Sequence, residues 1–307
     1  MTLQQWAAFT AVCQSGSYTA AASELHLSQS ALSKQIMSLE NELGVELFIR
    51  STRALRLSDV GSQILPHAQK LVRGYNGMLH CAAQSRQNGA ALIRLGGIPV
   101  LGVYGITAAI LQFESLFPDV NTEIWETQTS DILYRLTAHQ LDVGIVRLAL
   151  PMEQDSHTLT VIPLIDDQQV LIVPPGHPMA DRACAALTEV DGETFILRNT
   201  DPMMSAYHIQ YLRSQLPAAP LQLTNMKMDS IKQCVVKKGW LTLVMEQVAR
   251  EIFLPQTRSV PLKDPLKLTL CAVLRKESTD TGCKALVEFL ISYFAGQTAF
   301  PLPVERI

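Results

Sequence analysis

Two serines and two glycines divide the start of the chain into three short helical segments. Gly16 follows a run whose apolar residues recur at helical spacing, and Ser17 is placed to cap a second helix that reaches Leu25. After a brief turn, Ser28 is the next N-cap, and the helix that it begins ends at Gly44. Two short helices joined by a tight turn predict a helix-turn-helix.

The third helix has an apolar stripe on one side and short hydrogen-bonding side chains on the other. The stripe is typical of a core-facing helix in any protein and says nothing about function; it consists of Leu32, Ile36, Leu39 and Leu43. Side chains that suit a helix N-terminus inserted into a major groove lie away from the stripe, namely Gln29, Ser30, Ser33 and Lys34. The sequence therefore predicts a recognition helix.

Two short extended segments follow Gly44 and predict a hairpin, the wing. They are Leu47–Arg50 and Leu55–Leu57, and strand alternation turns Leu55 and Leu57 inward and Arg56 outward. The wing then carries Arg50, Arg53 and Arg56, whose guanidinium groups can bind phosphates or enter a minor groove. Three arginines in a turn are also common on ordinary solvated surfaces, and nearby glutamates leave the segment without a net basic charge. The order of the elements favours DNA contact.

The segments Ser17–Ile36 and Leu39–Arg50 resemble the N-terminal domain of LysR-type transcription regulators. The resemblance implies that Gln29, Ser30, Ser33, Lys34 and Arg50 approach double-stranded promoter DNA. Ser30 departs from the family pattern, which very often has proline there. The resemblance also implies self-association, as a dimer and further as a tetramer, with RNA polymerase as an additional candidate partner.

A long helix is predicted from Ser58 to about Gln87. Its apolar face is continuous and consists of Val60, Ile64, Ala68, Leu71, Tyr75 and Leu79. In LysR-type regulators the matching element is the dimerisation helix; the alternative is a helix packed on its own effector domain. The expected domains are 1–58 for the winged helix-turn-helix, 59–89 for the linker helix and 90–307 for the effector-binding domain.

Strands and helices alternate through the rest of the chain and predict an α/β fold with parallel sheets. The predicted strands are 92–96, 121–126, 142–146, 169–173, 195–197, 221–226, 241–244 and 266–274, and the helices are 102–117, 130–139, 207–212, 230–238 and 285–294. The pattern restarts midway and closes with a strand and a helix that can rejoin the first sheet. We therefore expect two lobes with two crossovers, lobe I at about 90–163 and 268–296 and lobe II at about 164–267, a periplasmic-binding-protein-like architecture.

Several effector-domain motifs also resemble the LysR family, namely Leu116–Val120, Leu141–Arg147 and Val173–Pro178. The resemblance implies a small-molecule effector, the co-inducer, in the cleft between the lobes, at the carboxyl ends of strands. Nine residues are the candidate effector contacts: Ile98, Pro99, Val100, Thr129, Arg147, Asn199, Asp201, Met203 and Met204.

The chemical class of the effector stays open at this stage. Ile98 and Val100 stand where the family often has serine or threonine, whose hydroxyls hold a carboxylate. Backbone N–H groups and Thr129 can still bind an anion at a helix start, whereas a less acidic ligand would use the methionines. Arg147 is either a ligand anchor or a charge at the end of a strand.

The remaining features argue against other classes of protein. The six cysteines lie far apart without metal-ligand spacing, Cys184 and Cys234 are expected to be structural thiols, and we expect no metal, no cofactor and no catalytic residues. Trp125 and Trp240 are expected in the core. The start of the chain lacks the pattern of a signal peptide and no long apolar run is present, so the chain is expected to be cytoplasmic and not in a membrane. An enzyme, a transport solute-binding protein and a protein-interaction module are the rival classes.

Overall fold

The computed structural model describes residues 1–49, 55–86, 91–150 and 158–295. Arg50, Arg53 and residues 88–90 of the expected hinge lie outside the described residues. The chain divides into two compact units, one of Met1–Asn88 with Ala138–Gln140 and the other of Gly89–Thr137 with Leu141–Ile307. Among the described residues, no helix is long and apolar enough to cross a membrane.

The N-terminal unit begins with three helices, α1 (Leu3–Ser15), α2 (Tyr18–Glu24) and α3 (Gln29–Leu43). The predicted caps are confirmed, because the hydroxyl of Ser17 accepts from the backbone N–H of Ala20 and that of Ser28 from Ala31. Gly16 and Gly44 end α1 and α3 in the left-handed conformation, where glycine has no steric penalty. The predicted stops are therefore confirmed as well.

The wing strands are β1 (Phe48–Ile49) and β2 (Arg56–Leu57), which pair antiparallel with Phe48 opposite Leu57. Leu57 packs against the core of this unit and Arg56 is exposed, as predicted. The long helix α4 (Asp59–Arg86) follows, and the hydroxyl of Ser58 caps it by accepting from the backbone N–H of Gly61 at 2.9 Å.

The apolar residues of α4 do not form one continuous buried face. Ile64 and Ala68 pack into the core of the helix-turn-helix. By contrast, Val60, Leu71 and Tyr75 are 38%, 49% and 40% exposed. The predicted apolar stripe is therefore only partly covered within the chain: Ile64 and Ala68 complete the N-terminal core, whereas other members of the stripe are exposed. The prediction that the stripe packs against a second copy of the helix stays a prediction.

The second unit contains a curled sheet flanked by helices. Its strands are β3 (Ala91–Gly97), β4 (Val120–Glu126), β5 (Val143–Leu148), β6 (Leu159–Val173), β7 (Phe195–Arg198), β8 (Leu221–Thr224), β9 (Thr242–Met245), β10 (Arg258–Pro261) and β11 (Lys267–Arg275). Its helices are α5 (Ile106–Leu116), α6 (Thr129–Thr137), α7 (Pro202–Gln215), α8 (Met228–Lys238), the short α9 (Glu246–Val248) and α10 (Thr281–Ala295).

The sheet is mixed, so the expectation of parallel sheets is wrong in part. Strand β3 pairs parallel with β4 and β5, and β7 pairs parallel with β8. Strands β6 and β11 run antiparallel to their neighbours because each crosses between the lobes, and β11 returns to pair with β5 in lobe I. This return confirms that a late strand rejoins the first sheet.

Strand β6 belongs to both lobes. Its first part pairs with β11 and contributes Leu164 to the lobe I core, whereas its last residues pair with β9 and β10 in lobe II. Asp166 and Asp167 directly precede Gln168, the last residue of the part that pairs with β11. The crossover therefore occurs within one continuous strand, after Leu164.

Close packing of α6 on the sheet of lobe I sets the position of that helix. Gly96 and Gly144 are opposite each other on β3 and β5. A Cβ atom on Gly144 would lie 2.7 Å from Leu136 Cδ1 and 2.8 Å from Ile132 Cγ2, both on α6. The glycines therefore allow α6 to lie directly on the strands, with its first residue, Thr129, at the end of the sheet.

Two other expectations are corrected, and one strand was not expected from the sequence. Helix α5 starts at Ile106 and not at Gly102, because Gly105 precedes it at a φ of 73° and the residues before it form turns. Trp125 is 48% exposed, because β4 is an edge strand. Strand β10 was not predicted.

Candidate functional sites

The first candidate site is the exposed side of α3 together with the wing. Gln29, Ser30 and Lys34 are exposed and Ser33 is partly buried, while the stripe of Leu32, Ile36 and Leu39 is buried. Ser30 and Ser28 share a hydrogen bond of 3.1 Å between their hydroxyls, so serine at position 30 is accommodated beside the N-cap. The start of α3 thus presents polar groups that can contact bases and phosphates.

Glu40 links the recognition helix to the wing. Its Oε1 accepts hydrogen bonds from the backbone N–H groups of Leu47 at 2.7 Å and Phe48 at 3.2 Å. This carboxylate is therefore part of the scaffold and fixes the start of β1 relative to α3. The exposed Arg56 on β2 is the wing arginine that the structure describes.

The second candidate site is a cavity of about 350 Å³ between the two lobes of the effector domain. Lobe I contributes the ends of β3, β4 and β5 and the start of α6; lobe II contributes the end of β7, the start of α7, and parts of α8 and β9. Ligands bind at carboxyl ends of strands in α/β folds, and the volume suits a small molecule.

Six of the nine candidate effector residues line this cavity: Ile98, Pro99, Thr129, Arg147, Asp201 and Met204. The other three do not. Val100 packs against the cores of both lobes and Met203 packs against lobe I. The backbone N–H of Asn199 is bonded to the carbonyl oxygen of Thr224 in lobe II.

Asp201 connects the two lobes. Its Oδ1 accepts from the N–H groups of Met203 and Met204 and so caps α7. Its Oδ2 accepts a 2.8 Å hydrogen bond from the N–H of Thr129, the first residue of α6. The carboxylate therefore occupies the N-termini of two helices at once, positions at which helix dipoles favour an anion.

Arg147 belongs to a buried network beneath the cavity. Its guanidinium carbon lies 5.9 Å from the centre of the Tyr104 ring, and the Tyr104 hydroxyl donates to Asp167 Oδ2 at 2.6 Å. Oδ1 of Asp167 accepts from the N–H groups of Gln168 and Glu246. Burial raises the pKa of Asp167 above its usual value, and burial likewise raises the pKa of Tyr104.

Arg198 and His208 are among the polar residues of the cavity wall that sequence reasoning missed. Burial and the nearby charge of Arg147 lower the pKa of Arg198 and bring that of His208 to about 4. Nδ1 of His208 lies 2.9 Å from Nε2 of Gln169. Arg198 directly follows the predicted strand 195–197, so a charge at the carboxyl end of a buried strand was the available signal.

Three side-chain polar atoms on the cavity wall are buried and have no hydrogen-bond partner in the described part of the chain. They are Thr129 Oγ1, Arg147 Nε and Arg198 Nε. Buried polar groups are normally paired, because an unsatisfied group loses its hydration without compensation. The three atoms therefore mark the cavity as a place for a polar ligand.

The described residues contain no group of three or more His, Cys, Asp or Glu side chains that could hold a metal ion. None of the cavity-lining residues among them is a cysteine. Cys184 is exposed and Cys234 is partly buried in lobe II, and both are free thiols. Burial raises the pKa of Cys13 and of Cys271 to about 12, so these two thiols stay protonated.

Comparison with known proteins finds relatives that match part of the chain. The chain is 34% identical over 181 residues to a probable hydrogen peroxide-inducible genes activator of Mycobacterium xenopi, covering 59% of this chain and 94% of that one. It is 27% identical over 197 residues to the DNA-binding transcriptional dual regulator OxyR of Escherichia coli, which covers 64% of this chain and 63% of that one.

Solved structures share the fold. Full-length BenM superposes with a TM-score of 0.60 at 22% identity, covering 99% of this chain and 100% of that chain. A full-length OxyR variant from Pseudomonas aeruginosa gives a TM-score of 0.54 at 22% identity, covering 94% and 99%.

Two family models match in tandem. The model of the bacterial regulatory helix-turn-helix proteins of the LysR family matches residues 3–62, and that of the LysR substrate-binding domain matches residues 86–295. The chain therefore belongs to the LysR family of DNA-binding transcription regulators.

Proposed function

We propose that this protein regulates promoters as a homo-oligomer whose action on DNA is set by a small molecule bound between the lobes of its effector domain. The observation that carries the proposal is the cavity of about 350 Å³ whose wall holds three buried and unpartnered polar atoms. In this proposal the cavity binds its ligand without converting it chemically. The protein acts on DNA in the bacterial cytoplasm.

The DNA contacts are assigned to the start of α3 and to the wing. Gln29, Ser30, Ser33 and Lys34 supply hydrogen-bonding groups toward base edges and phosphates. Arg56 supplies a charge for the backbone of the duplex, and Arg50 and Arg53 remain predictions because they lie outside the described residues.

Self-association is assigned to the apolar residues of α4 that are exposed in the single chain. Leu71 and Met78 on this helix are 49% and 65% exposed, an arrangement that a second copy of the helix would cover. Two copies present two helix-turn-helix domains, which suits a two-half-site operator. Higher assembly and contact with RNA polymerase are further parts of the proposal.

The effector acts by a shift of population between lobe arrangements. A ligand that contacts both lobes favours the arrangement in which both sets of contacts form. The lobes change their relative orientation about the crossover strands β6 and β11, which connect them. The changed angle between the lobes repacks the oligomer and alters the spacing of its DNA-binding domains.

Peroxide sensing by thiol oxidation is the second candidate, and the names of the mycobacterial and E. coli relatives favour it. Oxidation requires an accessible thiolate, and among the described cysteines only Cys184 is exposed. Since none of the described residues that line the cavity is a cysteine, we favour ligand binding over thiol chemistry.

The test is a selection of genomic fragments by the purified full-length protein, followed by footprinting at several salt concentrations. Protection of a promoter region with dyad symmetry, weakening steeply with salt, supports the proposal. A folded oligomer that retains no specific fragment would overturn it and favour a protein-interaction role. Treatment with hydrogen peroxide in parallel, with Cys184→Ser as the matched variant, separates the thiol alternative.

A further inference from the structure

Two arginines from opposite lobes line the same cavity, and among the described residues neither has a carboxylate within ion-pair distance. We propose that the effector is an organic anion whose carboxylate binds between Arg147 and Arg198, and not at the N-terminus of α6. This inference rests on the proposed function, because it names the chemical class of the ligand for the same cavity.

The two guanidinium groups are placed as a pair. Arg147 lies near the carboxyl end of β5 in lobe I, and Arg198 is the last residue of β7 in lobe II. Among the described residues, no carboxylate lies within 4.0 Å of either group, and the Nε atom of each is buried without a partner. The charge of Arg147 contributes to lowering the pKa of Arg198, so the two charges are close enough to repel. A carboxylate accepts forked hydrogen bonds from guanidinium groups and would remove this repulsion.

Two acidic residues, Asp201 and Glu126, line the cavity as well. Asp201 accepts from three backbone N–H groups, and Glu126 is exposed at the end of β4. Asp167 is not among the cavity-lining residues; it accepts from the Tyr104 hydroxyl and from two backbone N–H groups, and its charge interacts with that of Arg147. His208, with a pKa of about 4, is uncharged at neutral pH. In the described part of the chain, neither arginine therefore forms an ion pair with a carboxylate of the wall.

The N-terminus of α6 is the place where an anion would otherwise be expected. In this protein the N–H of Thr129 already donates to Asp201, whose other oxygen caps α7. A ligand carboxylate at that position would have to displace an internal carboxylate from two helix termini. The arginine pair offers a charge without such a competitor.

The rest of the cavity wall indicates what is attached to the carboxylate. Apolar side chains from both lobes line it, including Ile98, Met204, Met228, Val244 and Val248. A volume of about 350 Å³ leaves room for a short hydrocarbon body and excludes large molecules. The observations therefore favour a small carboxylic acid with an apolar body over an inorganic oxyanion.

Thermal unfolding of the full-length protein with hexanoate, hexanamide or sulfate tests the proposal, at an ionic strength matched with chloride. We expect hexanoate to raise the Tm saturably by several degrees and the uncharged hexanamide to have no such effect. Arg198→Gln should lose the hexanoate response, while Arg182→Gln, an exposed lobe II arginine outside the cavity, should keep it. A rise in Tm with sulfate but not with hexanoate would overturn the proposal that the ligand is an organic anion. An equal rise in Tm with hexanoate in wild type and Arg198→Gln would overturn the proposed binding site.

A measurement without ligand keeps the inference falsifiable. Arg198→Gln removes one of two mutually repelling charges, so at low salt its Tm should equal or exceed that of the wild type, and added chloride should stabilise it less. A clearly lower Tm together with an unchanged salt response would contradict the uncompensated pair. Specific promoter protection in the absence of any anion effect would overturn this inference and leave the proposed function standing.

Discussion

The carboxylate of Asp201 in lobe II accepts a 2.8 Å hydrogen bond from the backbone N–H of Thr129 in lobe I. The same carboxylate caps α7, so one side chain holds the starts of two helices that belong to different lobes. A side chain of this kind acts as a latch, because opening the cleft would leave the first N–H group of α6 without its partner.

Replacing Asp201 with Asn should loosen this latch. The amide has one accepting oxygen, so it can cap α7 or accept from Thr129 but cannot do both as well as the carboxylate. We expect a loss of stability on the order of 1–2 kcal/mol. Hydrogen exchange of the Thr129 amide should become faster in the full-length variant.

Asp191→Asn is the matched control for this variant. Asp191 is exposed and its side chain accepts only from the adjacent N–H of Gly192 among the described contacts. If both variants exchange the Thr129 amide at the wild-type rate, Asp201 does not hold the lobes together.

Gly144→Ala should displace α6. The added Cβ would lie 2.7 Å from Leu136 Cδ1, well inside van der Waals contact, and the side chain is held in a packed core. Overpacking of this kind costs roughly 1–3 kcal/mol, and we expect the Tm to fall by several degrees in calorimetry.

Gly176→Ala provides the comparison, since a Cβ there meets nothing within 4 Å. Equal melting temperatures for the two variants would show that α6 can move away from β5 without a penalty, and that the glycines do not set its position.

Much of the N-terminal unit could be predicted from the sequence because its signals are local. Ser17, Ser28, Gly16 and Gly44 act on the backbone within one turn of where they stand, so their roles do not depend on distant contacts. Which apolar residues of α4 pack on the N-terminal core and which stay exposed was not predictable, because periodicity identifies the apolar face but not what covers each part of it.

In the effector domain, local sequence signals did not predict features that depend on contacts between distant segments. The first part of β6 was missed because Pro163 and two aspartates interrupt its apolar pattern, and pairing with β11 overrides this weak local preference. The nearness of Arg147 and Arg198 depends on two strands from different lobes. No spacing along the chain encodes it.

Lowering the pH should destabilise the protein through His208. Burial and the charge of Arg147 place its folded pKa at about 4, below the value of about 6.5 for an unfolded chain. The unfolded state therefore binds the proton first, so this contribution is complete above about pH 6.5 and is lost as the pH falls toward 4. The loss is on the order of 2 kcal/mol between pH 7 and pH 5 and about 3 kcal/mol by pH 4.

Urea unfolding at pH 7 and pH 5 measures this effect. His208→Gln should reduce the difference in unfolding free energy between the two pH values, whereas His67→Gln, at an exposed position on α4, should leave it unchanged. An identical pH dependence in wild type and His208→Gln would place the histidine proton outside the folding equilibrium.

Lys34→Ala should weaken DNA binding without altering the fold. Lys34 is exposed on α3 one helical turn after Ser30, and its ammonium group is within reach of a phosphate if the start of the helix enters the groove. Loss of one phosphate contact lowers affinity for all sequences and reduces the slope of log affinity against log salt by about 1. Fluorescence anisotropy with the fragment recovered from the genomic selection, at four salt concentrations, gives both quantities.

Lys284→Ala, at an exposed position on α10 of the effector domain, should retain the wild-type affinity and slope. Weaker binding with an unchanged slope would mean that Lys34 contacts bases or supports α3, and unchanged affinity would remove it from the interface.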